Sequence, residues 1–382
     1  QTLRDVLLWA FASPDERRDG LFAADAVRTG SELETGVQLD SEIVGPLLAL
    51  SGVCVSPGTV QPERLAESCL EISSWAEGKG FPRAAVAYAY PAAVVTPGDP
   101  GSAYRVGLLA RKEADHPRAE AWLRRAIGLA RRCHDIRLQS RILVSLGNLF
   151  SRRGDYHAAE LAHRKALRLA RRHGIREVRG MALHDLCVVA FETEQFEKAE
   201  RYAYQACKAY RPGHPRLPAL AHDVAVFWLL QGKFSYALDA FKAVLNLMRT
   251  PRERMWILGT IAHAAGGAGR RDEFTGVWVE LWRCIDTLPA SESTGPALLN
   301  AAFGAAYLED WERVETAASL ALAVAVRRRE GRVRTEAEML LEVVQARRIP
   351  SERVTPVFPA HNGEVAEKLA AWLQEALGSL HG

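Results

Sequence analysis

Residues 142–170 read ILVSLGNLFSRRGDYHAAELAHRKALRLA, and this stretch decides the fold. Much of it returns forty residues earlier, at 104–130, as YRVGLLARKEADHPRAEAWLRRAIGLA. It returns forty residues later, at 184–209, as HDLCVVAFETEQFEKAERYAYQACKA. A period of this length is typical of a stacked array in which each unit buries its apolar face only against its neighbours. The sequence therefore predicts a solenoid.

Small and aromatic residues keep fixed positions within the repeat. The small positions are Gly107, Ala119 and Ala126, then Gly147, Ala159 and Ala166, then Ala199 and Ala206. The aromatic positions are Tyr156, Phe196, Phe234 and Trp311. We expect each unit to be two antiparallel helices with a tight turn at Gly154 or Gly232. Small residues then let the backbones approach, and aromatic rings fill the space beside the turn. Residues 259–274 fit this pattern poorly and predict a distorted unit.

Three elements of the central repeat coincide with those of a known family. They are Leu-Gly-Asn at 146–148, Gly-Asp-Tyr at 154–156, and two alanines seven residues apart at 159 and 166. With them the chain resembles tetratricopeptide repeat (TPR) proteins over about residues 102–325. The resemblance implies an all-α fold, a right-handed superhelical solenoid of antiparallel helix pairs.

The repeat length departs from that of the family. The repeats here are 37–40 residues long, against 34 in the TPR. We expect the extra residues to lengthen the second helix of each pair by more than one turn. Long repeats of this kind resemble the arrays of kinesin light chains and of bacterial peptide-sensing regulators.

Less regular segments flank the repeat array, which we place at 101–333. Residues 1–100 contain helical stretches and one degenerate repeat at 62–95, and they form either a cap for the solenoid or a separate recognition module. Residues 334–382 predict two amphipathic capping helices. The second of these either covers the last exposed face of the array or acts as a docking or dimerisation helix. The chain begins at Gln1 without a methionine, so the presence of a further domain upstream of Gln1 is an open alternative.

The first helices of the pairs are expected to line a concave groove. The groove candidates are Tyr104, Arg111, Arg141, Asn148, Arg152, His184 and His222. Asn148 occupies the position that resembles the clamp asparagine with which some TPR domains hold a peptide's C-terminal carboxylate. The clamp lysines have no counterpart at the matching positions, and Arg111, Arg141 and Arg152 are the candidates to supply that charge.

Two His-Asp pairs, His184-Asp185 and His222-Asp223, recur at one repeat position. Neighbouring helices lie about 10 Å apart, which is too far for two histidines to share a metal ion without further ligands. The pairs are either inherited with the repeat or line a peptide groove that senses pH.

A basic surface is predicted on the second helices, which form the outer wall in TPR-like stacks. Residues 101–180 carry 19 Lys and Arg against 7 Asp and Glu, although the net charge of the whole chain is only +3. The wall candidates are Arg124, Arg125, Arg131, Arg132, Arg164, Arg171 and Arg172. They form a solvated surface, a site for an acidic protein face, or a nucleic-acid site. Self-association through the acidic remainder of the chain is a further alternative.

No motif for catalysis stands out, and we predict a non-enzymatic protein without a cofactor or metal. There is no P-loop, GxSxG, HExxH or zinc-finger spacing. Six scattered cysteines without CxxC favour a cytoplasmic setting. No apolar run reaches 18 residues, so no membrane partner is expected.

The sequence thus predicts an adaptor or scaffold that binds a protein or peptide with an acidic surface, in its groove or on its basic wall. The alternative is the ligand- or peptide-sensing half of a bacterial regulator whose effector domain lies elsewhere. An enzyme would need a site hidden in residues 1–100 or 334–382.

Overall fold

A computed structural model describes residues 2–18, 21–22, 40–291, 293–328, 330–346 and 364–378. Within these ranges all regular secondary structure is helical. The first helices are α1 (Thr2–Phe11), α2 (Pro14–Arg18), α3 (Ser41–Val55), α4 (Pro62–Gly78), α5 (Pro82–Val95), α6 (Pro100–Lys112), α7 (His116–Arg132), α8 (Ile136–Arg152) and α9 (Tyr156–Arg172). They are followed by α10 (Arg176–Glu192), α11 (Phe196–Tyr210), α12 (Leu217–Leu230), α13 (Phe234–Leu245), α14 (Pro251–Gly267), α15 (Arg271–Thr287), α16 (Thr294–Tyr307), α17 (Trp311–Arg328), α18 (Gly331–Ala346) and α19 (Glu364–Gly378).

The chain divides into two compact units, Gln1–Asp185 and Leu186–Gly382, and the boundary between them lies within α10. In the first unit, α4 packs on α5, α6 on α7, and α8 on α9. In the second unit, α12 packs on α13, α14 on α15, and α16 on α17. The predicted all-α, TPR-like architecture of consecutive helix pairs is therefore confirmed.

The forty-residue period consists of two helices of equal length. From α7 to α10 each helix has 17 residues, and three-residue connectors join them. Asp115, Asp135 and Asp155 end successive connectors and accept a hydrogen bond from a backbone N–H in the first turn of the next helix. The expectation that only the second helix is longer was wrong. Since the connectors have a fixed length, the extra residues are shared by both helices.

Each connector turns through one residue in the left-handed region of φ. These residues stand twenty apart and are Ala114, His134, Gly154, Gly174 and Glu194, with φ of 59°, 55°, 76°, 65° and 59°. Glycine adopts this conformation without steric cost, whereas a Cβ disfavours it. The turns predicted at Gly154 and Gly232 are present, and both glycines have a positive φ.

Replacing Ala114 by Gly should stabilise the protein. Ala114 is exposed, so the change removes strain without removing packing. We expect the free energy of unfolding to rise by about 1 kcal/mol in urea denaturation, because a left-handed residue with a Cβ costs roughly that much. The matched control is Ala121→Gly at an exposed position inside α7. There the same change should destabilise by about 1 kcal/mol, and a loss of stability at both sites would refute the assignment.

Residues 259–274 are not distorted, contrary to the sequence expectation. They form the end of α14 and the start of α15, two regular helices of 17 residues. Gly259 and Gly266 lie where α14 meets α16 backbone to backbone. A Cβ on Gly259 would lie 2.6 Å from the Cα of Ala297, and one on Gly266 would overlap the carbonyl of Gly304. Gly267 faces the ring of Phe234, and Gly269 has a positive φ in the connector between α14 and α15. Close contacts and one turn, rather than a break in the repeat, explain the glycine-rich composition.

The N-terminal helices join the first unit through a shared core. Val6 and Trp9 of α1 are buried with Leu50 of α3 and Ile72 of α4. The indole N–H of Trp9 donates to the carbonyl of Pro57 at 2.8 Å. The predicted degenerate repeat is the α4–α5 pair. Phe81, which occupies the repeat position of Tyr156 in this pair, is exposed.

The C-terminal helix α19 packs against α11, α12 and α13. One sequence alternative placed it as a cap on the last face of the array, but α11–α13 lie in the middle of the chain. Residues 347–363, which connect it to α18 and include the proline-punctuated stretch 349–362 of the sequence analysis, lie outside the described residues.

Candidate functional site

The groove candidates of the first unit lie on matching faces of α6 and α8. Tyr104 and Arg111 are seven residues apart on α6, and Arg141, Asn148 and Arg152 are spaced by seven and four on α8. Such spacings place side chains on one face of a helix. The hydroxyl of Tyr104 lies 3.0 Å from the Ser145 hydroxyl, which belongs to the same face of α8. The five side chains therefore border one strip of surface, which we call the α6–α8 strip.

The guanidinium of Arg111 is half-buried in a positive environment. Burial lowers its pKa, and the charge of Arg152 lowers the pKa further. Tyr104 and Asp185 act in the opposite direction. Because both leading causes disfavour the charged form, an anion bound beside Arg111 would relieve them.

Hydrogen-bonding capacity is also unused in this strip. The Nε atoms of Arg111 and Arg141 are buried and have no hydrogen-bond partner among the described residues. The Nε of Arg105, on the same helix as Arg111, is likewise buried without a hydrogen-bond partner among the described residues. The Nη1 of Arg105, however, binds the Glu77 carboxylate at 2.6 Å, and Lys112 also binds Glu77. Buried guanidinium groups are normally paired, so the strip is suited to a carboxylate or another anion.

The two histidine candidates are less accessible than the groove prediction assumed. His184 is buried in the first unit. His222 belongs to the second unit, where its Nδ1 lies 3.1 Å from Asp223 Oδ1 and its ring centroid lies 4.2 Å from that of Trp256. Neither residue lies on α6 or α8, so neither is counted in the α6–α8 strip.

A different histidine, His163, has the more unusual environment. It is fully buried on α9, and its Nδ1 lies 3.7 Å from Asp185 Oδ2. Burial lowers the pKa of His163, while the charge of Asp185 raises it. The sequence analysis missed this residue because it occupies an apolar position between Ala162 and Ala166, where a histidine has no recognisable motif.

The repeat register explains why His163 fits. Its ring fills the space beside Gly147, where a Cβ would lie 2.7 Å from Nδ1 and closer to other ring atoms. Forty residues earlier, Gly107 faces Leu123 in the same way. Forty residues later, the two positions hold Cys187 and Ala203. In the first two repeats, a glycine on the first helix thus faces a larger residue on the second. In the third repeat the larger residue, Cys187, is on the first helix and the smaller one, Ala203, is on the second. Gly147 makes room for a side chain rather than for a backbone.

The predicted basic wall lies exposed on α7 and α9. Arg124 and Arg164 bind glutamates of their own helices, Glu120 at 2.6 Å and Glu160 at 2.8 Å. Arg125 donates to the carbonyl of Pro97 at 3.1 Å. The remaining candidates, Arg131, Arg132, Arg171 and Arg172, occupy the last turns of the two helices. Positive charge there stabilises the helix dipole, so every wall position has a local structural role.

An acidic cavity of about 800 Å³ lies elsewhere in the first unit, between α3, α4 and the start of α6. Glu63, Glu67 and Glu71 line it at successive turns of α4, and Asp99 lines it beside α6. These carboxylates would repel an anionic ligand. Their four-residue spacing is visible in the sequence, although none of them was predicted as a site residue.

In the described ranges, no group of three or more His, Cys, Asp or Glu side chains could hold a metal ion. None of the described helices is long and apolar enough to cross a membrane.

Comparison with known proteins agrees with this helical repeat scaffold. Residues 100–172, which hold α6 to α9, match the family model for the tetratricopeptide repeat. No curated protein sequence matches the chain. The family-model match places tetratricopeptide repeats at residues 100–172, and it agrees with the paired helices seen there.

Three solved structures are similar to this chain at low sequence identity. A STAND signal-transduction ATPase with a tetratricopeptide repeat sensor, from Pyrococcus horikoshii, has a TM-score of 0.58 and 13% identity. The alignment covers 100% of this chain and 64% of that one, so this chain spans less than two thirds of its length. The Rap conjugation gene regulator of plasmid pLS20, in complex with the Phr* peptide, has a TM-score of 0.47, 13% identity and coverages of 90% and 96%. BtubC from P. vanneervenii has a TM-score of 0.44, 16% identity and coverages of 61% and 95%.

Proposed function

We propose that this chain is a non-enzymatic adaptor that binds an acidic peptide segment of a partner protein along the α6–α8 strip. Extended peptides and helices are the usual guests of helical repeat surfaces. The observation that carries the proposal is that the buried Nε atoms of Arg111 and Arg141 have no hydrogen-bond partner among the described residues.

Charge and geometry favour a carboxylate as the ligand group. Arginine presents a planar set of donors that matches a carboxylate in a bidentate manner. Arg111 is partly desolvated and repelled by Arg152, so an anion gains more there than at an exposed cation. Asn148 and Tyr104 add uncharged donors along the same strip.

The α6–α8 strip is a better candidate than the basic wall. On the wall, Arg124 and Arg164 already have carboxylate partners at 2.6 and 2.8 Å. Exposed surface charges attract an acidic partner at long range, but they contribute mainly to association rate and salt sensitivity. We assign the wall a role in attracting the partner, and the strip the role of holding it.

A peptide array tests the assignment. The array holds peptides that differ only in their number of Glu residues, each with a free and an amidated C-terminus. The chain should retain the acidic peptides, and the double variant Arg111→Ala/Arg141→Ala should bind them at least about tenfold more weakly, since a hydrogen bond to a charged group contributes roughly 1.5–3 kcal/mol.

Arg124→Ala serves as the matched control because its charge is already compensated by Glu120. It should keep the wild-type affinity for the acidic peptides. Equal retention of neutral and acidic peptides, or a double variant that is folded by circular dichroism and binds as the wild type does, would contradict the proposal. Comparison of the two C-termini shows whether the bound carboxylate is terminal or belongs to a side chain.

A sensor within a larger regulatory protein is the second candidate. It is favoured by the similar fold of the STAND ATPase, whose TPR region is described as a sensor and whose chain extends beyond the aligned part. A small-molecule or peptide ligand of this chain that leaves its partner binding unchanged would argue against this role.

A further inference from the structure

The C-terminal helix α19 occupies a cleft in the second unit. Its residues Ala366, Leu369, Leu373, Ala376 and Leu377 are all buried. They form one face of a 15-residue helix whose other face, at Glu367, Lys368, Ala371 and Glu375, is exposed. The helix packs against α11, α12 and α13, and we call this site the α11–α13 cleft.

Aromatic and small side chains form the floor of the cleft beside Leu369. Cys187, Ala203 and Trp228 line it, together with two phenylalanines. The rings of Phe191 and Phe227 stack there, with their centroids 3.9 Å apart.

A buried polar group fixes the edge of this floor. Glu200 is buried, binds Lys233 at 2.6 Å and accepts a hydrogen bond from the indole N–H of Trp228 at 3.3 Å. These contacts join α11 and α12 to Lys233, which directly precedes α13, and the stacked phenylalanines join α10 to α12. None of these contacts involves α19.

The geometry is that of an amphipathic helix in an apolar groove. In such complexes the anchors recur at spacings of three and four residues, as Ala366, Leu369, Leu373 and Leu377 do here. The occupant belongs to the same chain and follows α18 after 17 further residues.

We propose that the α11–α13 cleft is a binding site for an amphipathic helix of a partner protein, and that α19 is its intramolecular occupant. Release of α19 exposes the cleft, and a partner helix with the same leucine spacing takes its place. This site is separate from the α6–α8 strip, so it stands independently of the function proposed above.

A second copy of the chain is a poorer occupant. A short tether holds a cis ligand at an effective concentration of the order of millimolar. The α19 of another copy offers the same contacts without that advantage. A partner helix gains by carrying a longer apolar stripe than α19, two of whose five buried side chains are alanines.

Binding of a labelled peptide tests the proposal on the full chain. The probe is a fluorescein-labelled peptide of residues 361–382, measured by anisotropy. The variant Leu369→Asp/Leu373→Asp should release α19 and bind the wild-type peptide at least about tenfold more tightly than the wild-type chain does, because cis competition is lost. A peptide with the same two substitutions should not bind. The control variant Ala371→Asp, at an exposed position of α19, should behave as the wild type.

Hydrogen exchange on the wild-type chain needs no substitution that could unfold the protein. Amides of α19 should exchange faster than those of α12 and α13, because release of α19 leaves the cleft folded. Three outcomes would overturn the proposal. The first is equal hydrogen exchange in α19 and α12, and the second is a folded double variant that does not bind the peptide. The third is a wild-type dimer, formed at micromolar concentration, in which two copies swap their α19 helices.

Discussion

Substitution of Gly266 by alanine is expected to cause the largest loss of stability of any single change considered. The new Cβ would overlap the carbonyl of Gly304, and a Cβ on Gly304 would overlap the carbonyl of Ala262. Since backbone atoms of α14 and α16 cannot move aside as a side chain can, the helices must separate. We expect the free energy of unfolding to fall by about 3 kcal/mol or more, the upper range for overpacking.

Urea denaturation followed by circular dichroism measures this effect, and Gly276→Ala is the matched control. Gly276 is exposed within α15 and a Cβ there meets nothing within 4 Å. That variant should gain about 1 kcal/mol from helix propensity. If Gly266→Ala were as stable as the wild type, the backbone contact between α14 and α16 would be wrong.

The second large effect concerns Gly147 and His163. Alanine at position 147 would place a Cβ 2.7 Å from Nδ1 of the buried His163 ring. We expect a loss of about 1–3 kcal/mol, as for other overpacked cores. Because the third repeat has Cys187 and Ala203 at the two positions, the double variant Gly147→Ala/His163→Ala should recover part of the stability.

A double-mutant cycle separates this pairing from two independent effects. We predict a favourable coupling of at least about 1 kcal/mol between positions 147 and 163. The control pair is Gly128→Ala with His163→Ala, because a Cβ at Gly128 meets only the end of the Arg132 side chain, at 4.0 Å. Simple additivity at 147 and 163 would show that the ring does not occupy the space beside Gly147.

The repeat and its helices could be predicted because small residues recur at a fixed spacing. The equal length of the two helices could not be predicted in this way. The spacing determines the combined length of the two helices, but not the length of each. The Asp caps at 115, 135 and 155 carry that information. The contacts of individual glycines were harder still to predict. Gly147 faces the ring of His163 and Gly266 faces the backbone of Gly304, and the sequence does not distinguish these two situations.

Part of the candidate site was also accessible from the sequence. Helical register predicts the spacing that places Arg141 and Arg152 on one face of α8. It did not show that the guanidinium of Arg105 has an acidic partner, Glu77, although the Nε of Arg105, like those of Arg111 and Arg141, has no hydrogen-bond partner among the described residues. The location of α19 depends on contacts with helices more than a hundred residues earlier, which no local pattern reports.

Titration of one acidic peptide against three proteins tests the central claim most directly. The proteins are the wild type, the strip variant Arg111→Ala/Arg141→Ala, and a wall variant in which Arg131, Arg132, Arg171 and Arg172 are replaced by Glu. Affinity is measured at about 50 and 500 mM salt, where screening lengths differ several-fold. The strip variant should lose affinity at both salt concentrations, and the wall variant mainly at the lower one. Wild-type affinity in the strip variant, with loss only in the wall variant, would contradict the account.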